Sequence, residues 1–354
     1  MNQTPFFSIG VTTYNRKNLL LQTVLSLLNQ DFSDFEIIIG NDYPDEQLTQ
    51  ELIGVKDDRI VIVNNDPNLG ELSNMNSLLK LAKGRYFSWQ FDDDLCAPVF
   101  LSEAHKALEK FCYPECVFSS FAYVYGSSNA KFTGKRNGIT LYTGREFLRS
   151  YLSGRIRVLG SAGFMQTDYL RSIGGAIKLS EGKMAVYSEY FLIFKAGLLD
   201  KIAYLNSNLV VNRVHENSWS CNSNEASIYR QAGINLVRES LLIFSDHRIR
   251  KDFPQNIISL FKSVISVVIT KNRMAGLHVT RSDITHFVSE IKKELKLLED
   301  PELLLEASKC LNKSIRYIPL FRLKGYIRSI IPIKYLVVAH YFSSLVSPYT
   351  NKSF

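Results

Sequence analysis

The stretch YFSWQFDDD, residues 86–94, runs from an apolar segment directly into three consecutive aspartates. Its apolar part is typical of a half-buried strand, so the sequence places three carboxylates at a strand terminus. Concentrated negative charge there costs free energy unless a cation or a bound ligand compensates it. Oxygen-rich clusters without thiols suit Mg²⁺ or Mn²⁺, which commonly share their coordination with substrate phosphates. A solvated acidic loop is the plainer alternative that three aspartates alone leave open.

Short apolar runs alternate with amphipathic segments on both sides of this stretch, from residue 6 to about 126. The predicted strands are 6–12, 35–39, 59–63, 86–91 and 117–125, and the predicted helices are 19–28, 46–53, 72–82 and 98–111. This alternation is typical of parallel βαβ units with helices on both faces. Ligands of such sheets lie beyond the carboxyl ends of the strands. We therefore predict an α/β fold, with a mostly parallel sheet flanked by helices and a polar site at one edge.

The pattern changes in the second half of the chain. Residues 138–216 mix strands with glycine-bearing loops and one helix at 187–196, and from about 225 onward the pattern is helical. We predict two domains, an α/β domain over 1–222 and a helical region over 223–354. Glu306 is the last acidic residue, and the eight cations beyond it make a basic tail from about residue 307.

Composition narrows the class of protein. The chain has 354 residues, of which 46% are hydrophobic and 21% charged, so we expect it to be folded over most of its length. Its five cysteines are scattered, which fits free thiols in a reducing compartment. No signal peptide and no long uninterrupted apolar span is visible, so we expect a cytoplasmic protein. The net charge of +8 resides in the tail, which argues against a nucleic-acid enzyme.

Five motifs occur in an order that resembles the family 2 glycosyltransferases with the GT-A fold. They are VTTYNR at 11–16, LLNQDFSDFEIIIGND at 27–42, NLG at 68–70 followed by Asn76, Ala82 and GRY at 84–86, DDD at 92–94, and RVHENS at 213–218. The resemblance covers roughly residues 8–218. A sugar nucleotidyltransferase or a Rossmann dehydrogenase fits less well, because no glycine-rich phosphate loop follows the first predicted strand.

The resemblance implies transfer of a sugar from a nucleoside-diphosphate sugar, most simply a UDP-sugar, to an acceptor hydroxyl with inversion. It also implies a Mn²⁺ or Mg²⁺ cofactor that stabilises the leaving diphosphate. The predicted metal ligands are Asp94, with Asp92 nearby, and His215. A histidine satisfied within a strand-to-loop turn is the alternative for His215.

The resemblance also assigns the donor site. The matched motifs give Thr12, Thr13, Tyr14, Arg16, Asp42, Asn68, Asn76, Asp92, Asp93 and Arg213 as donor-binding residues. In relatives, a first-strand threonine and the second-strand aspartate contact the base, and the first acid of the triplet reaches the ribose. Arg213 is either a phosphate contact or a surface strand residue.

Inversion by direct displacement needs a base that takes the proton of the acceptor hydroxyl. The family usually presents an Asp, often within "E-D", at the start of a helix, and the sequence has YSEY at 187–190 there. Glu189 is therefore the predicted base, with Ser188 in place of the first acid. Met75 is a further departure, since many relatives carry Arg before the Asn. These departures leave open a catalytically impaired nucleotide-sugar-binding or scaffold protein.

Residues 315–346 interleave cations with bulky apolar side chains. This composition suits helices lying in an anionic membrane interface, where a lipid-linked acceptor would be found. A basic subdomain packed on the catalytic domain, or an oligomer contact such as a homodimer, fits equally well. The resulting prediction is a transferase of surface polysaccharide or glycolipid synthesis, acting on a saccharide or lipid-linked acceptor at the inner face of the membrane.

Overall fold

The computed structural model describes residues 4–126, 132, 138–215, 218 and 226–331. The predicted domain boundary at 222, residues 216 and 217 of the last motif, and the basic tail beyond 331 lie outside these residues. Four of the five cysteines are described, and all four have free thiols as expected.

The described strands form one mixed sheet. Strands β1 to β9 span Phe7–Thr13, Phe35–Asn41, Ile60–Asn64, Tyr86–Phe91, Leu95–Cys96, Cys116–Tyr125, Ile139–Tyr142, Gly163–Gln166 and Ile202–Val214. Their order is β3-β2-β1-β4-β8-β6-β9-β5, and β7 also pairs with β9. Strands β1 to β4 are parallel to one another, and so are β6 and β9, whereas β5, β7 and β8 run antiparallel to their neighbours. The predicted α/β class with a mostly parallel sheet is confirmed.

Helices cover this sheet and continue beyond it. Helices α1 to α7 span Lys17–Leu28, Gln50–Ile53, Glu71–Leu81, Phe100–Lys110, Gly144–Leu152, Thr167–Ser172 and Ser188–Ala196. Helices α8 to α12 span Ala226–Ser245, Phe253–Met274, Arg281–Glu294, Pro301–Ile315 and Ile318–Ile330. The helix predicted over 46–53 is wrong in its first turn. Asn41 Nδ2 donates to the carbonyl of Glu46, and Asn64 Oδ1 accepts from the amide of Leu48, so these bonds hold a loop there.

Strand register brings the predicted polar residues to one edge. Thr13 pairs with Asn41 across β1 and β2, and Thr12 pairs with Phe91 across β1 and β4. Thr13, Asp42 and Asp92 therefore leave the sheet side by side. This convergence follows from three buried parallel strands that end together, as the sequence predicts.

The helical region shares a core with the sheet. One continuous cluster of buried apolar residues joins Phe87 of β4 and Phe118 of β6 to side chains from α8 to α12. Phe194 of α7 and Phe244 of α8 meet with ring centroids 5.3 Å apart. The C-terminal helices are thus packed onto the part of the chain that contains the sheet.

Within the described residues, one helical segment, Arg250–Met274, is long and apolar enough to cross a membrane. Sixty-one per cent of its most apolar 18-residue stretch is buried inside the structure. It contains α9, whose buried positions such as Ile257, Phe261 and Ile265 lie in the common core. Burial of this kind is typical of a helix in the core of a helical bundle.

Candidate active site

A cleft of about 510 Å³ opens at the carboxyl ends of β1, β2 and β4. Ten of the predicted site residues line it, namely Thr12, Thr13, Tyr14, Arg16, Asp42, Asn68, Asp92, Asp93, Glu189 and Arg213. His215 does not line the cleft itself, but its Nε2 lies 3.2 Å from Oδ2 of Asp93, which does. Asn76 and Asp94 do not line the cleft.

Asp92 is anchored by groups from the first strand and its loop. Thr13 Oγ1 donates to Asp92 Oδ2 at 2.8 Å, and Arg16 Nη1 lies 3.1 Å from Asp92 Oδ1. Burial raises the pKa of Asp92 to about 6, and the Arg16 guanidinium opposes that rise. The carboxyl group of Asp92 is thus held in place, and burial makes its ionisation less favourable than in water.

Asp93 is the acid of the triplet that faces the cleft together with a histidine. His215 Nε2 and Arg16 Nη1 lie 3.2 Å and 3.1 Å from the same atom, Asp93 Oδ2. The backbone amide of His215 donates to Ser218 Oγ at 2.9 Å, which fixes the turn that carries the imidazole.

The chemistry of these side chains fits a divalent cation. Two carboxylates and one imidazole, without a thiol, are ligands suited to Mn²⁺ or Mg²⁺ that also binds phosphate oxygens. Within the described residues, no three His, Cys, Asp or Glu side chains are already grouped at metal-binding distances. Arg16 Nη1 lies 3.1 Å from both Asp92 Oδ1 and Asp93 Oδ2, so an ion held by these acids would add to the charge compensation that Arg16 provides.

Asp94, predicted as the principal metal ligand, lies behind the cleft instead. Its side chain is completely buried, and its carboxylate accepts from Asn212 Nδ2 at 3.1 Å and from Ser161 Oγ at 3.4 Å. Burial raises its pKa well above the usual range. A turn after β4, in which the amide of Asp94 donates to the carbonyl of Phe91, directs this third carboxylate inward.

Arg213, predicted as a phosphate contact, uses its guanidinium inside the protein. Its Nε donates to the carbonyl of Asp93, its Nη1 to Gln22 Oε1, and its Nη2 to the carbonyl of Leu19. Only 3% of the residue is exposed, and burial lowers the pKa of its side chain. Arg213 therefore ties the acidic turn to α1 while part of the residue borders the cleft.

Asp42 organises the loop that closes the other end of the cleft. Its Oδ1 accepts from the amide of Leu69 and its Oδ2 from the amide of Gly70, both at 2.8 Å. Asn68 Nδ2 donates back to the carbonyl of Asp42 at 2.8 Å. Gly70 has φ +85°, and a Cβ there would lie 2.5 Å from Lys183 Cβ, so the loop needs glycine at this position.

Asn76, predicted as a donor contact, points to the opposite side of α3. Its Nδ2 donates to the carbonyl of Ala176 at 2.8 Å, and its Oδ1 accepts from the amide of Ala176 at 3.0 Å. It therefore fixes the loop after α6. Met75 beside it is buried in the core, and its carbonyl accepts from Trp89 Nε1.

Glu189 lies in the first turn of α7 and lines the cleft. Its Oε1 accepts from the amide of Ser161 at 3.2 Å. Burial raises the pKa of Glu189 to about 7, and the Ser161 amide opposes that rise. A Cβ at Gly160 would lie 2.7 Å from Oε1, so the 3-10 turn at Gly160–Ala162 approaches the carboxylate closely. The neighbouring Ser188 is buried and donates to the carbonyl of Ile177 at 2.6 Å, which gives it a structural role.

The sequence analysis missed several residues that line the cleft, chiefly Glu71, Lys183 and Asn212. Glu71 Oε2 accepts from the amide of Ala185 at 2.9 Å, and burial raises the pKa of Glu71. Lys183 Nζ donates to Asn68 Oδ1 at 2.8 Å. Lys183 lies in a loop without a recognisable motif, so no local signal could have identified it. Glu71 follows the NLG motif directly, and its position at a helix start was the available signal.

Comparison with known proteins agrees with this geometry. Residues 8–170 match the family model described as "Glycosyl transferase family 2". The chain is 32% identical over 127 residues to an Escherichia coli protein named "UDP-Glc:alpha-D-GlcNAc-diphosphoundecaprenol beta-1,3-glucosyltransferase WfaP". The matched segment covers 36% of this chain and 49% of that protein. The chain is 26% identical over 262 residues to the Campylobacter jejuni "GalNAc(5)-diNAcBac-PP-undecaprenol beta-1,3-glucosyltransferase", covering 72% of this chain and 68% of that one. The chain spans less than half the length of several other curated relatives that it matches.

Solved structures with the same fold include that of S. aureus TarS. The full TarS structure superposes with a TM-score of 0.56 at 15% identity, covering 90% of this chain and 54% of that chain. A TarS structure of residues 1–349 in complex with UDP-GlcNAc superposes with a TM-score of 0.51 at 15% identity, over 90% of this chain and 92% of that chain. At this identity the likeness is one of fold.

Proposed function

We propose that the protein transfers a sugar from a nucleoside-diphosphate sugar to an acceptor hydroxyl with inversion. Support comes from the match of residues 8–170 to the family 2 glycosyltransferase model and from the fold shared with TarS. The observation that carries the proposal is that Glu189, Asp92 and Asp93 line one cleft at the carboxyl ends of the parallel strands. A candidate general base, Glu189, thus faces the same space as two aspartates that contact Arg16. Direct displacement requires such a base close to the site that stabilises the leaving group.

The donor would lie along the cleft between the loop of Asn68 and the acidic turn. Tyr14 at the rim is half exposed and packs edge-on against Tyr43, with ring centroids 5.3 Å apart, so it offers an aromatic surface to a base. We propose a UDP-sugar as the donor. The printed name of WfaP specifies UDP-Glc, and TarS, which shares the fold, was crystallised with UDP-GlcNAc.

We propose that Asp93, Asp92 and His215 hold the divalent cation. Asp93 thus replaces Asp94 in the set of ligands predicted from the sequence. Support comes from the 3.2 Å contact between His215 and Asp93, and from the complete burial of Asp94. Bound there, Mn²⁺ or Mg²⁺ would supply positive charge to the leaving diphosphate. Arg16, which already contacts both acids, would stay beside the same phosphates.

Glu189 would act as the base in one displacement step. The acceptor oxygen forms its bond to the anomeric carbon as its proton passes to the Glu189 carboxylate. The bond between the anomeric carbon and the diphosphate oxygen breaks, and its electron pair leaves with the nucleoside diphosphate. A base with a pKa near 7 is suited to this transfer at neutral pH. Ser188 and Met75, whose departures suggested an impaired protein, lie inside the fold and away from the cleft.

We further propose that the acceptor is lipid-linked and that α12 contacts the membrane. The names of the Escherichia coli and Campylobacter jejuni relatives both specify undecaprenol-linked saccharides. Leu320, Leu323, Ile327 and Ile330 recur at helical spacing and are 38–58% exposed. Lys324 and Arg328 lie beside them, and no acidic residue follows Glu306 in the chain. An apolar stripe bordered by cations alone complements an anionic lipid surface.

A thermal-shift panel tests the proposed function. UDP, GDP, ADP and dTDP would each be added with and without Mn²⁺, and a ligand of the native state raises the unfolding temperature. We expect UDP to raise it most and Mn²⁺ to enlarge that rise. If no nucleoside diphosphate shifts the unfolding temperature, with or without the ion, the proposed donor site is wrong.

A further inference from the structure

A second cavity lies on the far side of Glu189 from the donor cleft. Its volume is about 200 Å³, and its lining includes Phe121, Tyr123, Tyr151, Arg157 and Glu189. Glu189 lines both spaces, so its carboxylate stands between the donor cleft and this cavity. The volume is below that of most drug-sized ligand sites and suits a single small ring.

Arg157 brings a partly buried positive charge to this cavity. Its Nη2 is buried without a hydrogen-bond partner, and no carboxylate lies within ion-pair distance of it among the described residues. Burial lowers the pKa of its guanidinium, although not enough to neutralise an arginine. Its guanidinium carbon lies 4.6 Å from the centroid of the Phe121 ring, which orients the group but offers no hydrogen-bond acceptor to Nη2. A guanidinium placed in this way is suited to bind an anion.

The remaining lining is suited to a sugar. Tyr123, Tyr151 and Phe121 provide aromatic surfaces, and Tyr190, which is 38% exposed, also lines the cavity. Aromatic faces stack on the apolar faces of sugar rings, and tyrosine hydroxyls add hydrogen bonds at their edges. A ring held here would direct a hydroxyl toward Glu189 while a charged substituent meets Arg157.

We propose that this cavity is the acceptor subsite and that it takes a saccharide carrying an anionic substituent, a phosphate ester or a carboxylate, which Arg157 binds. The proposal rests on the proposed function, because it takes Glu189 as the base. It adds that the acceptor is recognised by a negative charge next to the sugar that is glycosylated. Planar guanidinium groups bind both phosphates and carboxylates through paired N–H donors, so the two substituents share one recognition chemistry.

The test measures binding of three small probes by ligand-observed NMR in the presence of saturating UDP and Mn²⁺, which keep the probes out of the donor cleft. The probes are glucose 1-phosphate, glucuronate and methyl glucoside. We expect at least one anionic probe to bind about tenfold or more tightly than methyl glucoside, as a charge-assisted hydrogen bond would give. Preference for glucose 1-phosphate alone assigns a phosphate ester, preference for glucuronate alone assigns a carboxylate, and preference for both assigns charge as the criterion.

Arg157→Met should abolish this preference, and Arg157→Lys should keep part of it. The matched control is Arg155→Met, because Arg155 is exposed and lies two residues away. Arg157→Met should unfold at the same or a higher temperature, because it removes a partly buried charge that has no ion-pair partner among the described residues. Equal binding of all three probes to the unaltered protein, or an anion preference that survives in Arg157→Met, would overturn the proposal. Loss of UDP binding would instead count against the proposed function, since UDP binding is measured first and independently of Arg157.

Discussion

Three adjacent aspartates have three different surroundings in this protein. Asp92 and Asp93 both contact Arg16, and Asp93 also contacts His215, whereas Asp94 is enclosed by Asn212 and Ser161. The free energy of an ionised carboxylate depends on such neighbours more than on its residue type. The turn after β4 therefore separates the chemical roles of these three residues.

The division between Asp93 and Asp94 makes a direct prediction. Asp93→Asn should remove the part of the UDP-induced thermal shift that depends on Mn²⁺ and lower kcat on the order of 10²-fold, because it weakens charge stabilisation of the diphosphate. Asp94→Asn, of similar shape and at a buried position, should keep the Mn²⁺-dependent shift. The measurement is a UDP titration with and without Mn²⁺ for both variants. The opposite pattern would restore Asp94 as the ligand that faces the ion.

Glu189 predicts a pH dependence with a definite sign. Burial raises its pKa to about 7, so kcat/KM should rise with pH through about 7 as the base ionises. The unfolded state loses this proton near pH 4.5, so Glu189 lowers the free energy of unfolding as pH rises from about 4.5 to 7. Glu189→Gln should therefore unfold at a higher temperature than the unaltered protein at pH 8, by roughly 1–3 kcal/mol of unfolding free energy. It should also lose transfer by about 10²-fold or more.

Glu181→Gln, in the exposed loop before α7, is the matched control and should change neither the pH profile nor the stability difference. The measurements are initial rates and thermal unfolding between pH 5 and pH 9. A stability difference that stays constant with pH, or Glu189→Gln rates equal to those of the unaltered protein, would contradict the role of Glu189 as base.

Residues at strand ends were predictable from the sequence, and residues whose direction depends on distant loops were not. The ends of β1, β2 and β4 are fixed by apolar runs, which placed Thr13 and Asp42 correctly in the cleft. Asn76 turns away from the cleft because its partner, Ala176, lies one hundred positions later in the chain. A motif specifies residue types and their order, but it does not include a partner so distant in the chain. The direction of the Asn76 side chain could therefore not be predicted from the motif.

At the scale of elements, the position of Glu189, the proposed base, depends on a close approach between α7 and the turn at Gly160–Ala162. Gly160→Ala would place a Cβ 2.7 Å from Glu189 Oε1, so the carboxylate must move. Displacement of a catalytic group by even about 1 Å can cost on the order of 10²-fold in rate. We expect kcat to fall about 10-fold to 10²-fold in Gly160→Ala, with the UDP dissociation constant unchanged.

Gly325→Ala on α12 serves as a control for the glycine-to-alanine change, because a Cβ there meets its neighbours only at ordinary contact distances of 3.5 Å and more. The measurements are steady-state rates and UDP titration for both variants. Unchanged kcat in Gly160→Ala would mean that the turn does not position Glu189.

At the scale of the whole molecule, the helical region and the sheet form one structural unit. The sequence predicted helices from about residue 225 because their apolar periodicity is strong, and helices α8 to α12 confirm this. It did not predict the shared core, since pairing between α7 and α8 depends on which apolar faces meet in three dimensions. Phe321 of α12 is itself buried in that core, so deletion of the chain from residue 312 would uncover α9. Point substitutions on the outer face of α12 are therefore the cleaner test of membrane contact.

The double substitution Leu323→Glu and Ile327→Glu should lower partitioning onto anionic vesicles by about tenfold or more while leaving UDP binding unchanged. Both side chains lie on the exposed stripe, 55% and 38% accessible, so glutamate is accommodated without loss of core packing. The change removes apolar contact and adds negative charge beside Lys324 and Arg328, and each cation near an anionic surface contributes about 1 kcal/mol. Leu242→Glu, at a 61% exposed position on α8, is the control. The measurement is co-sedimentation with phosphatidylglycerol-containing and purely zwitterionic vesicles. Equal partitioning of the double variant and the unaltered protein would show that the stripe does not contact the membrane. If the double variant instead changes from dimer to monomer, the stripe is a contact between two copies of the chain.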